Sequence, residues 1–368
     1  MLNIIFMILL LSFIYVDSIL TNEYLIKANE TYEKVIPCLK RAWMMADKNI
    51  DFKFPDDAEY HYEELINRTA RFRQAPVHEY AGYEGPWIEN IWIKEYMNKP
   101  LSFFNGFIPL FIQWIDTQIL RGRHFGDIHY ELNQILRPNV LYLAISQGDV
   151  GLAGIGTSHP NILVLSAGGF GHVPIPLIRG EIKHAPISSN FTFKQDIAFF
   201  GEFRLYTRPD ILAKVLHEAE VLNMTYRQGR GPTWETDMQE TKFNLAPRGY
   251  GRSSFRFAES IQMGRIVAHI HDDIPWVAYH DTKFSVKEYG FLSGLTDPNN
   301  TIENMVHQMK NLTDEQFTKK IDILTEAREH FTYTGVLKQI EALMNDPFGP
   351  NGGYLRCIDH PRTERCCG

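Results

Sequence analysis

The segment from Phe243 to Asp273 constrains the fold of this chain more than any other. It reads as a strand, a glycine-rich turn, a short helix and a second strand, closed by an acidic loop. A turn feeding a helix N-terminus presents unpaired backbone N–H groups and the positive end of the helix dipole, where a phosphate fits. Gly249 and Gly251 permit backbone angles that a side chain forbids and let a ligand approach the main chain, while Arg248 and Arg252 add charge. Ser253 or Ser254 is a natural N-cap, so the helix is expected to run to Met263 with Gly264 as its stop. On it Arg256 and Glu259 share a face, where a guanidinium can meet a diphosphate and a carboxylate can accept from sugar hydroxyls. The same spacing also suits a solvated ion pair beside the apolar Phe257, Ala258 and Ile261. No G-x-G-x-x-G fingerprint is completed.

The runs Leu245-Ala-Pro-Arg-Gly-Tyr-Gly, Ser254-Phe-Arg-Phe-Ala-Glu, Gly264-Arg-Ile-Val and Asp272-Asp273-Ile-Pro-Trp follow one another in order. In this order the chain resembles the exostosin family of glycosyltransferases. The resemblance implies an α/β fold of two Rossmann-like domains facing a cleft, the GT-B type. It also implies inverting transfer from a nucleotide-diphosphate sugar to a glycan or glycoprotein acceptor, with no cofactor beyond that co-substrate. Carried over by position, Arg248 and Arg256 would hold the diphosphate and Glu259 the ribose or sugar. Gly249, Gly251, Ser254, Asp272 and Asp273 would complete the nucleotide-sugar site. Ala268 and Trp276 depart from the family pattern, and neither departure removes a charge. The same resemblance admits a non-catalytic partner subunit and a homo- or heterodimer.

Upstream, Val140 to Ser146 reads as a buried strand followed by the loop Gln147-Gly-Asp-Val-Gly. Ligands in open α/β sheets collect beyond the carboxyl ends of strands. The family often carries histidine-aspartate-tryptophan-glycine here, so Asp149 matches its aspartate and Gly148 replaces the histidine. Asp149 is the candidate base for an acceptor hydroxyl; an ordinary turn aspartate is the alternative. Asn161 to Gly171 and His172 to Ile178 follow, and Gln195 to Phe200 opens a new strand before a helix at Arg208-Pro209. The expected organisation is a signal segment at 1–20, an extension or stem at 21–80, an acceptor-side domain at 81–185 and a nucleotide-sugar domain at 195–335. A cysteine-bearing tail covers 336–368, and the polar segment Lys183 to Lys194 is the linker.

Ile4 to Val16 is apolar apart from Ser12 and falls short of the roughly 20 residues that span a bilayer comfortably. It reads as a cleaved signal peptide, leaving the chain in the ER lumen or secreted, or as a signal anchor, which with the exostosin resemblance implies a Golgi membrane position with the bulk of the chain in the lumen. Sequons at Asn29, Asn67, Asn190, Asn223, Asn299 and Asn311 fit either route. So do Cys38, Cys357, Cys366 and Cys367, an even number that allows three pairings. The net charge of -7 and the lack of a basic block interleaved with aromatics exclude a general nucleic-acid binder. No metal is expected, since neither a Cys-x-x-Cys spacing nor an Asp-x-Asp triplet occurs. His269, His271 and Asp273 form the competing pattern, the start of a metallohydrolase site on one strand face.

Overall fold

The computed structural model describes residues 23–40, 50–73, 85–119, 123–152, 155, 158–182, 192–280 and 282–349. Its strands form two separate, wholly parallel sheets. The first comprises β1 (Ile108–Pro109), β2 (Tyr142–Ser146), β3 (Ile162–Ser166) and β4 (Val173–Pro174), in that order. The second comprises β5 (Gln195–Phe200), β6 (Tyr226–Gly229), β7 (Thr241–Pro247), β8 (Ile266–His271) and β9 (Phe291–Gly294), ordered β6-β5-β7-β8-β9. Every residue of β2, β3 and β8 is buried, because a parallel sheet is covered on both faces by its crossover helices. This is the expected α/β architecture of two Rossmann-like units. In the second sheet β5 has β6 on one side and β7 on the other, so the strand order reverses there and leaves a crevice at the carboxyl ends of β5 and β7.

The first core reaches further along the chain than the sequence implies. Ala28, Tyr32, Val35 and Leu39 recur at helical spacing along the helix at 23–40 and are buried in it, as are Ala58, Tyr62 and Leu65 of the helix Ala58–Arg68. Tyr32 Oη accepts the Leu141 N–H at 2.8 Å. These residues, expected as a stem, are thus part of the first domain. The helix Tyr333–Asn345 likewise leaves the second domain and packs Val336, Ile340, Leu343 and Met344 into the first core. Gln339 on it donates to the Pro174 carbonyl at 3.1 Å. Trp276, the residue after the acidic loop, donates from Nε1 to the Ser166 carbonyl at 2.9 Å and so ties the second domain to the end of β3.

Two helix N-termini follow from their local sequences. Thr313 and Gln316 close a capping box on the helix Asp314–Ala327, which tightens into a 3-10 turn ending at Phe331. Pro209 stands at the first turn of the helix Arg208–Val221. Among the described residues no helix is long and apolar enough to cross a membrane. The signal segment, Asn190, Cys357, Cys366 and Cys367 lie outside the described residues.

Candidate functional site

The expected strand, turn, helix and strand are β7, residues 248–254, the helix Phe255–Gln262 and β8. Ser254 holds the N-cap position in an extended conformation but makes no side-chain cap bond, and Gly264 ends the helix at φ 69°. Neither Gly249 nor Gly251 takes a positive φ, so the need for glycine here is not conformational. At Gly251 it is steric: an added Cβ would lie 2.2 Å from the Gly168 carbonyl oxygen and 2.7 Å from that of Asp149. The turn is pressed against the first domain, and the Arg252 N–H donates to the Gly168 carbonyl at 2.6 Å.

The charged residues of this segment mostly serve each other. Arg248 Nη1 donates to both oxygens of Asp272, at 2.8 and 3.0 Å, and Nη2 donates to the Tyr250 carbonyl at 2.7 Å. Arg252 is 0% exposed, donates to Asp273 Oδ2 at 2.8 and 2.6 Å, and stacks over Phe170 of the first domain at 4.0 Å. Burial opposes the charge on Asp273, but Arg252 and the Ile274 N–H outweigh it and hold its pKa below the usual range. Arg248, Asp272 and Asp273, expected to grip a nucleotide sugar, are placed in ion pairs that fix the turn itself.

The cleft between the sheets is a cavity of 420 Å³ whose lining includes Asp149, Arg179, Gly201, Arg208, Gly249 and Arg256. Arg208 donates to the carbonyls of Glu202, Pro247 and Arg248 at 2.8, 3.2 and 2.7 Å, bridging the carboxyl ends of β5 and β7. Arg256 donates to the Phe200 carbonyl, pairs with Glu259 and stacks on Trp234 at 4.2 Å. Arg179 lies over the same indole at 5.3 Å, with Nη1 3.7 Å from Glu259 Oε1. Glu259 is only 3% exposed and sits behind the two guanidinium groups, where its Oε1 has no hydrogen-bond partner among the described residues.

Asp149 follows β2 in the first domain, which also carries Arg179, and lines the same cleft as Arg208 and Arg256 of the second. Its Oδ1 accepts the Gly251 N–H at 3.2 Å, and its Oδ2 has no hydrogen-bond partner among the described residues. The residue as a whole is exposed to the cleft, yet its carboxyl group is closely surrounded. That desolvation raises its pKa against the opposing pull of the Gly251 N–H, Arg248 and Arg208. Behind it, the fully buried Glu89 accepts the N–H groups of Ile115 at 2.8 Å and Gln147 at 2.9 Å. Burial pushes the Glu89 carboxyl up to about 7, with the two N–H bonds pulling the other way.

Sequence reasoning missed Glu89, Arg179, Arg208 and Trp234 as site residues. Arg208 alone carried a local signal, as the first residue of a helix beside the expected crevice. The other three sit in no recognisable motif and converge only through the fold.

The competing metal pattern does not assemble. His269 and His271 do share a face of β8, but that face is covered by the helix above it: Phe257 meets the His269 ring edge-on at 5.5 Å, and His269 Nδ1 bonds the Ala246 carbonyl at 3.0 Å. Burial drops the His269 pKa to about 3, and Asp273 is taken by Arg252. Among the described residues, only Glu218, Glu303 and His307 bring three metal-capable side chains together. A cavity of 630 Å³ along β9 is also remote from this chemistry, and its Lys320 donates to the carbonyls of Lys287, Glu288 and Gly290. Asn29, Asn67, Asn223, Asn299 and Asn311 are all exposed. Cys38 is buried and disulfide-bonded.

No family model matches the chain, and no curated protein matches it. Solved structures do. The chain is similar to the crystal structure of TarM, at 13% identity and a TM-score of 0.39 over 61% of this chain and 46% of that one. It is similar to the pneumococcal O-GlcNAc transferase GtfA in complex with UDP and GlcNAc, at 12% identity and a TM-score of 0.34 over 55% and 45%. For WaaG, a glycosyltransferase involved in lipopolysaccharide biosynthesis, the values are 10%, 0.38, 62% and 69%. The chain spans about half the length of the first of these structures.

Proposed function

We propose that this chain is an exostosin-like inverting glycosyltransferase, taking a sugar from a nucleoside diphosphate to a glycan acceptor in the lumen of the secretory pathway. The observation that carries the reading is the convergence of Asp149 and Arg179 of the first domain with Arg256 of the second on one 420 Å³ cleft at the switch point of the second sheet. Both reactive ends of a displacement are provided for. Asp149 takes the proton from the acceptor hydroxyl, the hydroxyl oxygen forms its bond to the anomeric carbon, and the bond from that carbon to the diphosphate breaks on the opposite face. The departing diphosphate carries the charge away toward Arg179, Arg256 and the N-terminus of the helix Phe255–Gln262. Glu259 is buried behind the two guanidinium groups and holds them in place toward the cleft.

A thermal-shift and hydrolysis panel of uridine and guanosine diphosphate sugars on the purified lumenal part tests the reading. One nucleotide sugar is expected to raise the melting temperature and to be turned over when a glycan is supplied. No shift with any member of the panel would overturn it, and a shift without turnover would make the chain a binding subunit.

A further inference from the structure

The cleft has a second chamber on the first-domain side of Asp149. It is a cavity of 460 Å³ walled by Trp87, Ile115, Gln147, Tyr206, Tyr250 and Phe255, with Asp149 at its mouth toward the donor side. Such a wall, mostly aromatic and aliphatic with a few convergent polar groups, is typical of a small-molecule site. Trp87 and Ile115 pack together against Phe255, so both domains build it.

Two rings in this chamber stand in solvent. Tyr206 is 66% exposed and Tyr250 52%, and they meet edge to face at 5.6 Å. Their backbone and rings are held in place all the same. Tyr206 takes φ 43°, the left-handed region that a bulky residue avoids, and such strain persists where the surroundings enforce it. Arg248 lies against both residues: its guanidinium is 5.5 Å from the Tyr206 ring centroid and donates to the Tyr250 carbonyl at 2.7 Å, while Asp272 neutralises it. The arginine that the sequence offers to a diphosphate therefore sets two aromatic faces beside the candidate base.

Charge narrows the guest. Among the described residues lining the chamber, Asp149 is the one carboxylate, and no lysine, arginine or histidine is present. A carboxylated or sulfated sugar would meet Asp149 with no cation on the chamber wall itself, since Arg248 is neutralised by Asp272 and Arg208 spends its donors on three carbonyls of the neighbouring cleft. A neutral pyranose has an apolar face of C–H groups that covers an aromatic ring and a rim of hydroxyls that can reach the carboxylate.

We propose that this chamber is the acceptor subsite, and that Tyr206 and Tyr250 are the platform on which an uncharged pyranose ring stacks with a hydroxyl turned to Asp149. The role given to that hydroxyl rests on the transferase reading; the binding of the ring does not.

The full chain is titrated with cellobiose, lactose and chitobiose, with glucuronic acid as the charged arm and benzyl alcohol as the non-sugar arm. Binding is read by saturation-transfer NMR and by the intrinsic fluorescence to which Trp87 contributes. At least one neutral disaccharide is expected to bind, with transfer concentrated on the C–H protons of one ring. Tyr250→Ala and Tyr206→Ala are each expected to weaken it about tenfold, the scale of one lost aromatic contact, and Tyr250→Phe to leave it within about twofold. Thermal melts confirm that the variants remain folded. Wild-type affinity in both alanine variants, no binding of any neutral disaccharide, or tighter binding of glucuronic acid or benzyl alcohol would overturn the proposal. The nucleotide-sugar panel is read separately, so loss of the donor reading and loss of this subsite give different results.

Discussion

Gly251 donates its backbone N–H to Asp149 Oδ1 at 3.2 Å, joining the turn of the second domain to the loop after β2 of the first by one hydrogen bond across the cleft. The bond occupies one carboxylate oxygen and leaves the other toward the cavity, so it aims the group without consuming it. Asp149→Asn keeps the shape and an oxygen to accept the Gly251 N–H but removes the base. Transfer is expected to fall by about 10²–10⁴-fold, the usual contribution of a positioned proton acceptor. Nucleotide-sugar affinity, measured by calorimetry, should stay close to that of the parent chain. Unchanged transfer would move the base to another residue.

Arg256 is expected to act on the departing diphosphate. Removing one such preorganised charge from a water-poor site costs about 10²–10³-fold in turnover. Arg256→Ala should show that loss together with weaker donor binding in a chain that circular dichroism finds folded. Arg179→Ala should weaken the donor less, because its guanidinium is nearly twice as exposed and so more screened by solvent: 32% of its side chain is accessible against 17% for Arg256. If Arg256 served only to neutralise Glu259, the variant would melt lower while its folded fraction bound donor normally.

Much of the nucleotide-sugar half is legible in local sequence, because its elements carry local signals. The helix expected from Ser254 to Met263 is observed over Phe255–Gln262, and β5 begins at Gln195 as read. What local pattern does not reveal is who pairs with whom. Arg248 and Arg252 are positive residues in a phosphate-shaped turn, and only the return of the chain through β8 brings Asp272 and Asp273 against them. Arg179, Trp234 and Arg256 come from three separate segments, so their stack has no spacing to find. The stem reading of residues 21–80 missed a helical stripe for a related reason. Tyr32 and Tyr62 look amphipathic in sequence, and it is the covering sheet that makes them interior.

Arg252 is the residue whose loss should cost the most stability in the turn. It is fully buried, paired with Asp273, and stacked on Phe170 beside the Gly168 carbonyl that accepts its N–H. Breaking a fully buried pair costs about 3–5 kcal/mol, but Asp273 is 36% exposed and can be rehydrated, so about 2–3 kcal/mol is expected for Arg252→Ala. Urea denaturation checks the value. A change below about 0.5 kcal/mol, ordinary for a surface site, would show that the domains are not held together through this contact.

Glu89 gives the cleft a dependence on pH. As a carboxylate it accepts two backbone N–H groups, one from Ile115 on the wall of the acceptor chamber and one from Gln147, two residues before Asp149. Burial first, and the nearby Asp116 to a lesser extent, raise its pKa to about 7. Below that value the protonated group turns one acceptor oxygen into a hydroxyl, a weaker acceptor for the N–H group that it faces. Transfer is therefore expected to rise with pH through a midpoint near 7 as the loop carrying Asp149 becomes fixed. Glu89→Gln, a permanent mimic of the neutral state, should be slow and flat across the same range. Stability moves the opposite way. Between the ordinary glutamate range and about pH 7 the folded chain holds a proton that the unfolded chain has released, so the contribution of this group to stability falls as pH rises across that window. A rate profile and a melting series from pH 5 to 8 on the parent chain and on Glu89→Gln separate the two effects. A parent rate that is flat near 7, or a variant that keeps the parent's profile, would remove Glu89 from the positioning of Asp149.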